Sequence, residues 1–165
     1  MALEIFASIK AAGTDLVGDA TETLGGVDVS NHFRIYEFEN EVSLGGEGAS
    51  GRATNRRQYK PITVRMPVQA SAPEIFKACA ENQPIEAVFK WFRPNVDSGQ
   101  TEHFYTITLE QGRVCLAKQY LPDTSDPQEQ TLPPMMEVGF TFQTIRWAHE
   151  VSSKEAEDNW QSGQS

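Results

Sequence analysis

Apolar and polar residues alternate along most of this chain, which is the pattern of strands that bury one face. The alternation is clearest within residues 59–94. There Ile62, Val64 and Met66 are apolar, and the residues between them are polar. This pattern predicts a strand that lays one face on a hydrophobic core.

A short helix is predicted directly after this strand. Ser71 stands three residues before Glu74, with Pro73 between them, which is the spacing of a capping box at a helix start. The helix should end near Asn82, which tolerates the left-handed conformation, because Pro84 cannot continue it. About ten residues are too few for a helix to be stable alone in water, so it must pack on a sheet. We expect it to be the only helix of the chain.

The strand predicted at residues 85–92 is unusual because both of its faces carry large apolar side chains. Val88 and Phe92 point to one face, and the opposite face carries Ile85, Ala87, Phe89 and Trp91. One face is expected to line the core. The other is covered either by the chain's own helix or by another subunit, and the pattern leaves both alternatives open.

The remaining pattern predicts further strands and a single domain. They are expected at residues 3–7, near 16–17, at 32–42 with a phase slip that indicates a bulge or strong bend, at 102–109 and 114–120 as a hairpin through Gln111 and Gly112, and at 136–147 as one long strand. Bent antiparallel strands with one helix favour a mainly β fold, a barrel or sandwich, over residues 1–149. Residues 150–165 are acidic and polar, and they are predicted to form a tail with Trp160 as its one anchor.

A long projecting loop is predicted for residues 44–57, which contain four glycines and have almost nothing to bury. Gly46, Gly48 and Gly51 have the spacing of a dinucleotide-binding loop. The residues after them have no apolar helical period, however, and Pro61 would end any helix there. We therefore do not expect a nucleotide site.

Three arginines, Arg52, Arg56 and Arg57, lie at the end of this loop. They could grip a phosphate or carboxylate, pair with carboxylates of a neighbouring subunit, or simply be solvated. The sequence leaves these three alternatives open.

Composition restricts the partners of the protein. Its 165 residues fit one domain, and a net charge of −9 with a pI near 4.8 makes nucleic acid and anionic membrane surfaces unsuitable partners. No positively charged leader precedes the first apolar residues, and no apolar run approaches the ~20 residues of a membrane span. We expect neither a cleaved signal peptide nor membrane insertion, so that export would need a machine that accepts folded proteins.

The sequence shows no arrangement of side chains for catalysis, metal binding or a cofactor. His32, His103 and His149 are scattered and lack the spacing of metal ligands, so they are expected at the surface. Cys79 and Cys115 are expected to be buried free thiols, with a bridge between them as the alternative. Because no nucleophile motif occurs either, we expect no enzyme activity.

A set of residues shares its order and spacing with a known family. It comprises Ser71-Ala72-Pro73, Ile75, Lys77-Ala78, Phe89-Lys90-Trp91-Phe92, Gly99-Gln100, Phe104-Tyr105, Leu109-Glu110, Val114, Glu137, Phe142, Ile145, Trp147 and Asp158-Asn159-Trp160. In these residues the chain closely resembles the haemolysin-coregulated proteins (Hcp), the tube subunits of bacterial type VI secretion systems. The resemblance covers residues 58–121 and 135–160.

The resemblance implies an antiparallel β-barrel of two curved sheets flanked by one helix. It also implies six copies in a ring and rings stacked head to tail into a tube, which a contracting sheath expels together with its spike and effector proteins. Such a protein starts in the bacterial cytoplasm and is secreted without a cleaved signal peptide. The residues themselves leave a second hypothesis open, a monomeric or dimeric barrel that binds a small ligand inside.

Five residues are candidates for contacts between subunits, namely Arg52, Arg56, Arg57, Val88 and Phe92. The arginines flank the predicted loop, and the other two lie on the second apolar face of the 85–92 strand. Heterologous contacts of this kind can close into a ring and extend by stacking. Charge reversal at Arg56 and Arg57 is expected to weaken stacking more than ring closure.

Overall fold

The computed structural model describes residues 3–46 and 53–159, without the side chains of residues 45, 46 and 53–56. In the first part the strands are β1 (Glu4–Ala11), β2 (Thr14–Asp15), β3 (Thr23–Leu24), β4 (Val27–Asp28), β5 (Phe33–Ile35), β6 (Glu37–Glu39) and β7 (Val42–Gly46). In the second part they are β8 (Ala53–Tyr59), β9 (Ile62–Pro67), β10 (Ile85–Pro94), β11 (Thr101–Tyr120), β12 (Met135–Thr141), β13 (Thr144–His149) and β14 (Lys154–Asn159). Among the described residues the one helix is α1 (Ala72–Ala80), which confirms the predicted mainly β class.

The fold is organised around one long strand, β11, and its antiparallel neighbours. The 20-residue strand β11 pairs with β13 through its first half and with β12 through its second half. The other edge of the first half pairs with β10, whereas β9 pairs with β12. Strand β11 therefore belongs to two sheets. Its first half lies between β10 and β13 in one sheet, and its second half pairs with β12 in the other.

The predicted hairpin at residues 102–120 is wrong, because β11 continues through Gln111 and Gly112 without reversing. Gln111 has a φ of 53°, so the chain bends at this left-handed residue instead of turning back. A Cβ on Gly112 would lie 2.6 Å from the backbone oxygen of Thr141, so the absence of a side chain allows the two strands to approach closely. Gln111 and Gly112 are typical turn residues in sequence. In the structure the strand bends at this point, because β11 pairs with β13 before it and with β12 after it.

The final strand, predicted as one element over 136–147, is divided into β12 and β13. The interruption at Phe142 and Gln143 lies opposite the bend in β11, since Thr141 pairs with Arg113 and Thr144 pairs with Glu110. Two paired strands must bend together to keep their hydrogen bonds, which explains why both are irregular at the same level.

The core lies between the two sheets and is filled by aromatic and aliphatic side chains. Phe89, Phe140 and Ile62 are at most 1% exposed, and the Phe89 and Phe140 rings meet edge to face with centroids 5.8 Å apart. Over the described residues the strand path runs from β2 to β6 and does not close into a continuous hydrogen-bonded barrel. The predicted arrangement of antiparallel sheets flanked by one helix is confirmed.

Helix α1 begins where predicted, but not with the predicted cap. The Ser71 side chain makes no capping hydrogen bond. Its Oγ accepts a hydrogen bond from the Val17 backbone N–H at 2.8 Å, which ties the helix start to the amino-terminal segment. Asn82 has a φ of 53°, as expected of the residue that ends the helix. Ala72, Ile75 and Ala78 are buried and fix the helix on the core.

The second apolar face of β10 is covered by the chain's own residues 18–32, not by α1. Phe92 is fully buried in a small cluster with Phe6, Ala20 and Val29, all at most 1% exposed. The expectation that the helix covers this face is therefore wrong. The covering segment is rich in small and polar residues, which is why its role was not visible in the sequence.

The predicted strand at 32–42 bends strongly, as expected from its phase slip. It divides into β5, which pairs with β1, and β6, which pairs with β9. The Tyr36 N–H between them donates to the Arg65 carbonyl at 2.8 Å. The segment thus passes from one sheet to the other.

Both thiols are unbridged, with Cys79 half-buried and Cys115 exposed. The expectation of burial is wrong for Cys115 because it follows the buried Val114, and neighbouring residues of a strand point to opposite faces. Within the described ranges, the structure contains no helix long and apolar enough to cross a membrane.

The segment predicted as a tail contains β14, which pairs with β13 along its whole length. Its residues up to Glu157 are exposed, and the last two are half-buried. β14 is therefore an edge strand and not a part of the core. Trp160 lies outside the described residues.

Candidate functional site

Both ends of the predicted projecting loop, residues 44–57, lie in strands that pair as a β-hairpin. β7 and β8 are antiparallel, with Val42 opposite Tyr59 and Leu44 opposite Arg57. In the described part of the chain these two strands form a sheet of their own and pair with no other strand. Glycines and polar residues hid the strands from pattern reasoning, although the alternation of Val42 and Leu44 with polar neighbours was a usable signal.

This hairpin carries the exposed apolar side chains that a contact surface requires. Leu44 is 62% exposed and Val42 is 47% exposed. An isolated two-stranded hairpin is at best marginally stable in water, so it needs support from other parts of the protein or from another molecule. We call β7 and β8 the assembly hairpin.

Support at the base of the assembly hairpin comes from β14. Arg57 forms an ion pair with Asp158, with 2.6 Å between Nε and Oδ2, and its Nη2 donates to the Asn159 carbonyl at 2.8 Å. The Tyr59 hydroxyl donates to the same Asp158 carboxylate. Both partners of the ion pair have side chains that are 27% exposed, so water weakens the interaction only partly.

Tyr59 is held in its protonated form by this environment. Burial, and then the neighbouring Asp158 carboxylate, raise the pKa of Tyr59 to about 12. Its ring packs edge to face on Phe142, with centroids 5.1 Å apart. Lys60 follows in the chain, and its backbone N–H donates to the Glu41 carbonyl at 3.1 Å. The base of the hairpin is therefore fixed by backbone, aromatic and charged contacts together.

The five predicted contact residues do not form one cluster. Arg52 and the side chain of Arg56 lie outside the described parts of the structure. Arg57 faces Asp158 of its own chain, and Phe92 is fully buried, so it has no surface to offer a neighbour in this conformation. Val88 is half-buried on β10.

Val88 lies far across the sheet from the hairpin base. It pairs with Thr108, which pairs with Arg146, which pairs with Glu157 beside Asp158. Three strand spacings correspond to roughly 14 Å. Val88 and the assembly hairpin are therefore separate candidate surfaces. Sequence reasoning named Asp158 only as part of the family resemblance. It missed the contact with Arg57, because nothing local links residues that lie about a hundred positions apart.

Metal and nucleotide binding were considered for these surfaces. Among the described residues, no group of three or more His, Cys, Asp or Glu side chains is placed to hold a metal ion. β8 follows the glycine-rich segment as a strand, and a dinucleotide loop would need a helix at that point.

Over the described parts of the chain, these features define the class as a two-sheet, mainly β protein with one flanking helix and a separate β-hairpin. A family model described as "Type VI secretion system effector, Hcp" matches residues 9–149. The chain therefore belongs to the Hcp family of type VI secretion proteins, as its resemblance in sequence indicated.

Similar proteins agree with this family. A protein of Pseudomonas aeruginosa named "Major exported protein" is 29% identical over 129 residues, which cover 78% of this chain and 74% of the relative. A crystal structure of an Hcp protein has a TM-score of 0.84 at 21% identity, covering 96% of this chain and 98% of the other. The Hcp1 protein of E. coli EAEC 042 gives 0.82 at 20% identity, covering 96% and 99%. These structures show a shared fold.

Proposed function

We propose that this chain is a structural, non-enzymatic tube subunit, six copies of which form a ring. The rings stack into a tube that carries effector proteins in its lumen. We propose the number six and the tube from the resemblance to the family alone. The observation in this molecule that supports assembly best is the assembly hairpin, which forms a sheet of its own and exposes Val42 and Leu44.

The hairpin suits a heterologous contact. We propose that it meets a different region on the next copy, which makes the contact heterologous. Contacts of this type form closed rings when the rotation between copies closes, and they extend indefinitely when it does not. Stacked rings use both outcomes.

The structure changes the set of residues that we propose for contacts between subunits. Arg52 and Arg56 remain proposed contacts because they lie in or beside the hairpin, and Val88 is proposed for a second contact on β10. Arg57 acts through Asp158 to orient the hairpin. Phe92 is no longer proposed, since its own chain covers it.

The alternative function, a small ligand held between the sheets, has less support. That space is filled by side chains such as Phe89 and Phe140. A cavity of about 290 Å³ does exist beside the hairpin base, lined by Arg57, Tyr59, Lys60, Pro61, Thr141 and Phe142. It borders the proposed contact surface and does not lie at the centre of the fold.

The proposed partners are the sheath, spike and effector proteins of the same secretion machine. We also propose that the protein is made in the bacterial cytoplasm and secreted without a cleaved signal peptide. Support comes from the family and from the name of the relative in P. aeruginosa, which is an exported protein.

Light scattering and electron microscopy of the purified chain test the proposal. We expect a mass of six times the 18.4 kDa chain and ring-shaped particles that stack at high concentration. A mass that stays at one chain over the whole concentration range, together with saturable binding of a small ligand, would instead support the alternative. A hydrolytic activity lost on substitution of one polar residue would contradict the non-enzymatic role.

A further inference from the structure

Residues 18–32, which we call the strap, lie over β10, and the two ends of the strap are hydrogen-bonded to each other. The Gly18 N–H donates to the Asn31 carbonyl at 2.8 Å, and the Ala20 N–H donates to the His32 carbonyl at 3.1 Å. The strap buries Phe92 and Phe6 beneath it. These two rings would be exposed to solvent if the strap moved away.

The end of the strap at Asp19 is fixed by uncharged groups and by one carboxylate. The Asp19 N–H donates to Gln69 Oε1 at 3.2 Å, and the Ala70 N–H donates to the Asp19 carboxylate at 3.1 Å. Its other end makes a different kind of contact. His32 Nε2 lies 3.0 Å from the ammonium nitrogen of Lys90 on β10.

The contact with Lys90 requires one particular tautomer of neutral His32. His32 Nδ1 lies 3.0 Å from the Ser30 carbonyl, which can only accept, so Nδ1 carries the proton. Nε2 is then free to accept a hydrogen bond from Lys90, which can only donate. A second proton on the ring would place N–H against N–H at the same distance and remove this hydrogen bond.

A second imidazole lies close enough to Lys90 to be affected by its charge. His103 on β11 packs on the Phe92 ring with centroids 5.2 Å apart. Its Nε2 lies 2.7 Å from Thr106 Oγ1, and Thr106 is paired in register with Lys90. The positive charge of Lys90 lowers the pKa of both histidines, after burial, which is the larger cause for each. Protonation of both rings would therefore gather three cations around the covered face of β10.

Two carboxylates oppose this effect and must be counted. The hydrogen bond to the Ser30 backbone and then Asp28 on β4 raise the pKa of His32. Glu150 and then a hydrogen bond to the Tyr105 backbone raise the pKa of His103. Burial also lowers the pKa of Lys90. For both histidines the net direction is downward from 6.5. Neutral imidazoles are therefore the form that the closed strap holds.

We propose that the strap is an acid-sensitive latch. Protonation of His32 removes its hydrogen bond to Lys90, protonation of His103 adds a further positive charge nearby, and residues 18–32 are released from β10. Release would expose Phe6 and Phe92 to solvent. The device is independent of the proposed tube assembly, because every group in it belongs to one chain.

The direction of the pH effect follows from the lowered pKa values. A released histidine binds a proton at its ordinary pKa of 6.5, whereas the closed form binds it only at lower pH. Between these two values the released form holds more protons, so acidification favours release. The latch is complete above pH 6.5 and weakens as the pH falls below that value.

Hydrogen exchange measured by mass spectrometry on the full chain tests the proposal. After correction for the intrinsic rate, exchange in peptides of residues 18–32 should rise about threefold or more between about pH 7.5 and about pH 5.5. Peptides of β9 and β12 should not change over the same range. Equal protection of the strap at both pH values would overturn the latch.

Three variants separate the latch from a general acid effect. His32→Gln keeps an acceptor for Lys90 but cannot take up a proton, so most of the pH response of the strap should disappear. Lys90→Met, which keeps the aliphatic stem without the charge, should also reduce it and serves if the first variant does not fold. His149→Gln, at the half-buried end of β13, removes a histidine that makes no contact with Lys90 among the described contacts, so it should respond like the unmodified chain. A full pH response in either of the first two variants would reject the proposal.

Discussion

At the residue scale, Asp158 is the side chain on which the orientation of the assembly hairpin depends. It accepts from Tyr59 and pairs with Arg57, two residues on one strand of the hairpin. Removal of the Asp158 carboxylate would leave the half-buried Arg57 without its partner. The free energy lost is larger than for an ion pair that is fully exposed to water.

Asp158→Asn should therefore lower the free energy of unfolding by about 1–3 kcal/mol. It should also lower the pKa of Tyr59 from about 12, but not fully to 10, since burial is the larger cause. Chemical denaturation and an NMR titration of the Tyr59 ring measure the two effects. Asp97→Asn, in an exposed turn, is the matched control and should change neither. An unchanged pKa of Tyr59 would show that the carboxylate does not face the phenol.

At the element scale, the start of α1 illustrates how one hydroxyl can serve a different element from the one its position suggests. Ser71 has the spacing of a helix cap, yet its Oγ accepts from Val17. The backbone carbonyl of Ser71 accepts from Glu74 and Ile75, so the helix starts without the side chain.

Ser71→Ala should cost about 1–2 kcal/mol because the Val17 N–H loses its partner at a partly buried position. NMR hydrogen exchange should show faster exchange at Val17, with Glu74 unchanged. Ser98→Ala, in an exposed turn, should leave both amides as they are. Faster exchange at Glu74 alone would mean that the hydroxyl caps the helix after all.

The bend of β11 is a second feature at this scale. A Cβ at position 112 would lie 2.6 Å from the Thr141 oxygen and 3.2 Å from the Ile85 oxygen. Both are backbone atoms, so neither can move aside without shifting a strand.

Gly112→Ala should therefore destabilise the protein by about 1–3 kcal/mol through overpacking. A lower urea midpoint with an unchanged slope would show this loss of stability. Thr108→Ala, four residues earlier on the same strand, should cost less than about 1 kcal/mol. Equal effects of the two substitutions would contradict the close approach of the strands.

At the scale of the whole molecule, assembly should depend on side chains that folding does not need. Leu44 is 62% exposed, so a single chain gains little from it. A charge at this position would be well solvated in the monomer and costly in a buried contact.

Leu44→Asp should fold with unchanged stability and fail to form stacked rings. Val96→Asp provides the control, because Val96 is fully exposed and lies away from the hairpin. Light scattering and electron microscopy compare the two variants at equal concentration. Stacked rings formed by Leu44→Asp as readily as by the control would exclude the hairpin from the stacking contact.

Local patterns were sufficient for the elements whose two faces differ clearly. The strand at Ile62, the bounds of α1 and the left-handed Asn82 were all predictable, because alternation, Pro84 and turn chemistry act within a few residues. The family was also visible, since it depends on the order of residues along the chain. The candidate contact surface was only partly visible, as the buried Phe92 shows.

The sequence by itself thus determined the mainly β class, the single helix among the described residues and the Hcp family. Only the tertiary structure decided that Gln111 and Gly112 bend a strand instead of ending it, that residues 18–32 cover Phe92, and that Asp158 holds Arg57. The physical reason is the range of the interactions. Alternation and turn propensity depend on neighbours in sequence, whereas the register of distant strands and the pairing of charges about a hundred residues apart depend on neighbours in space.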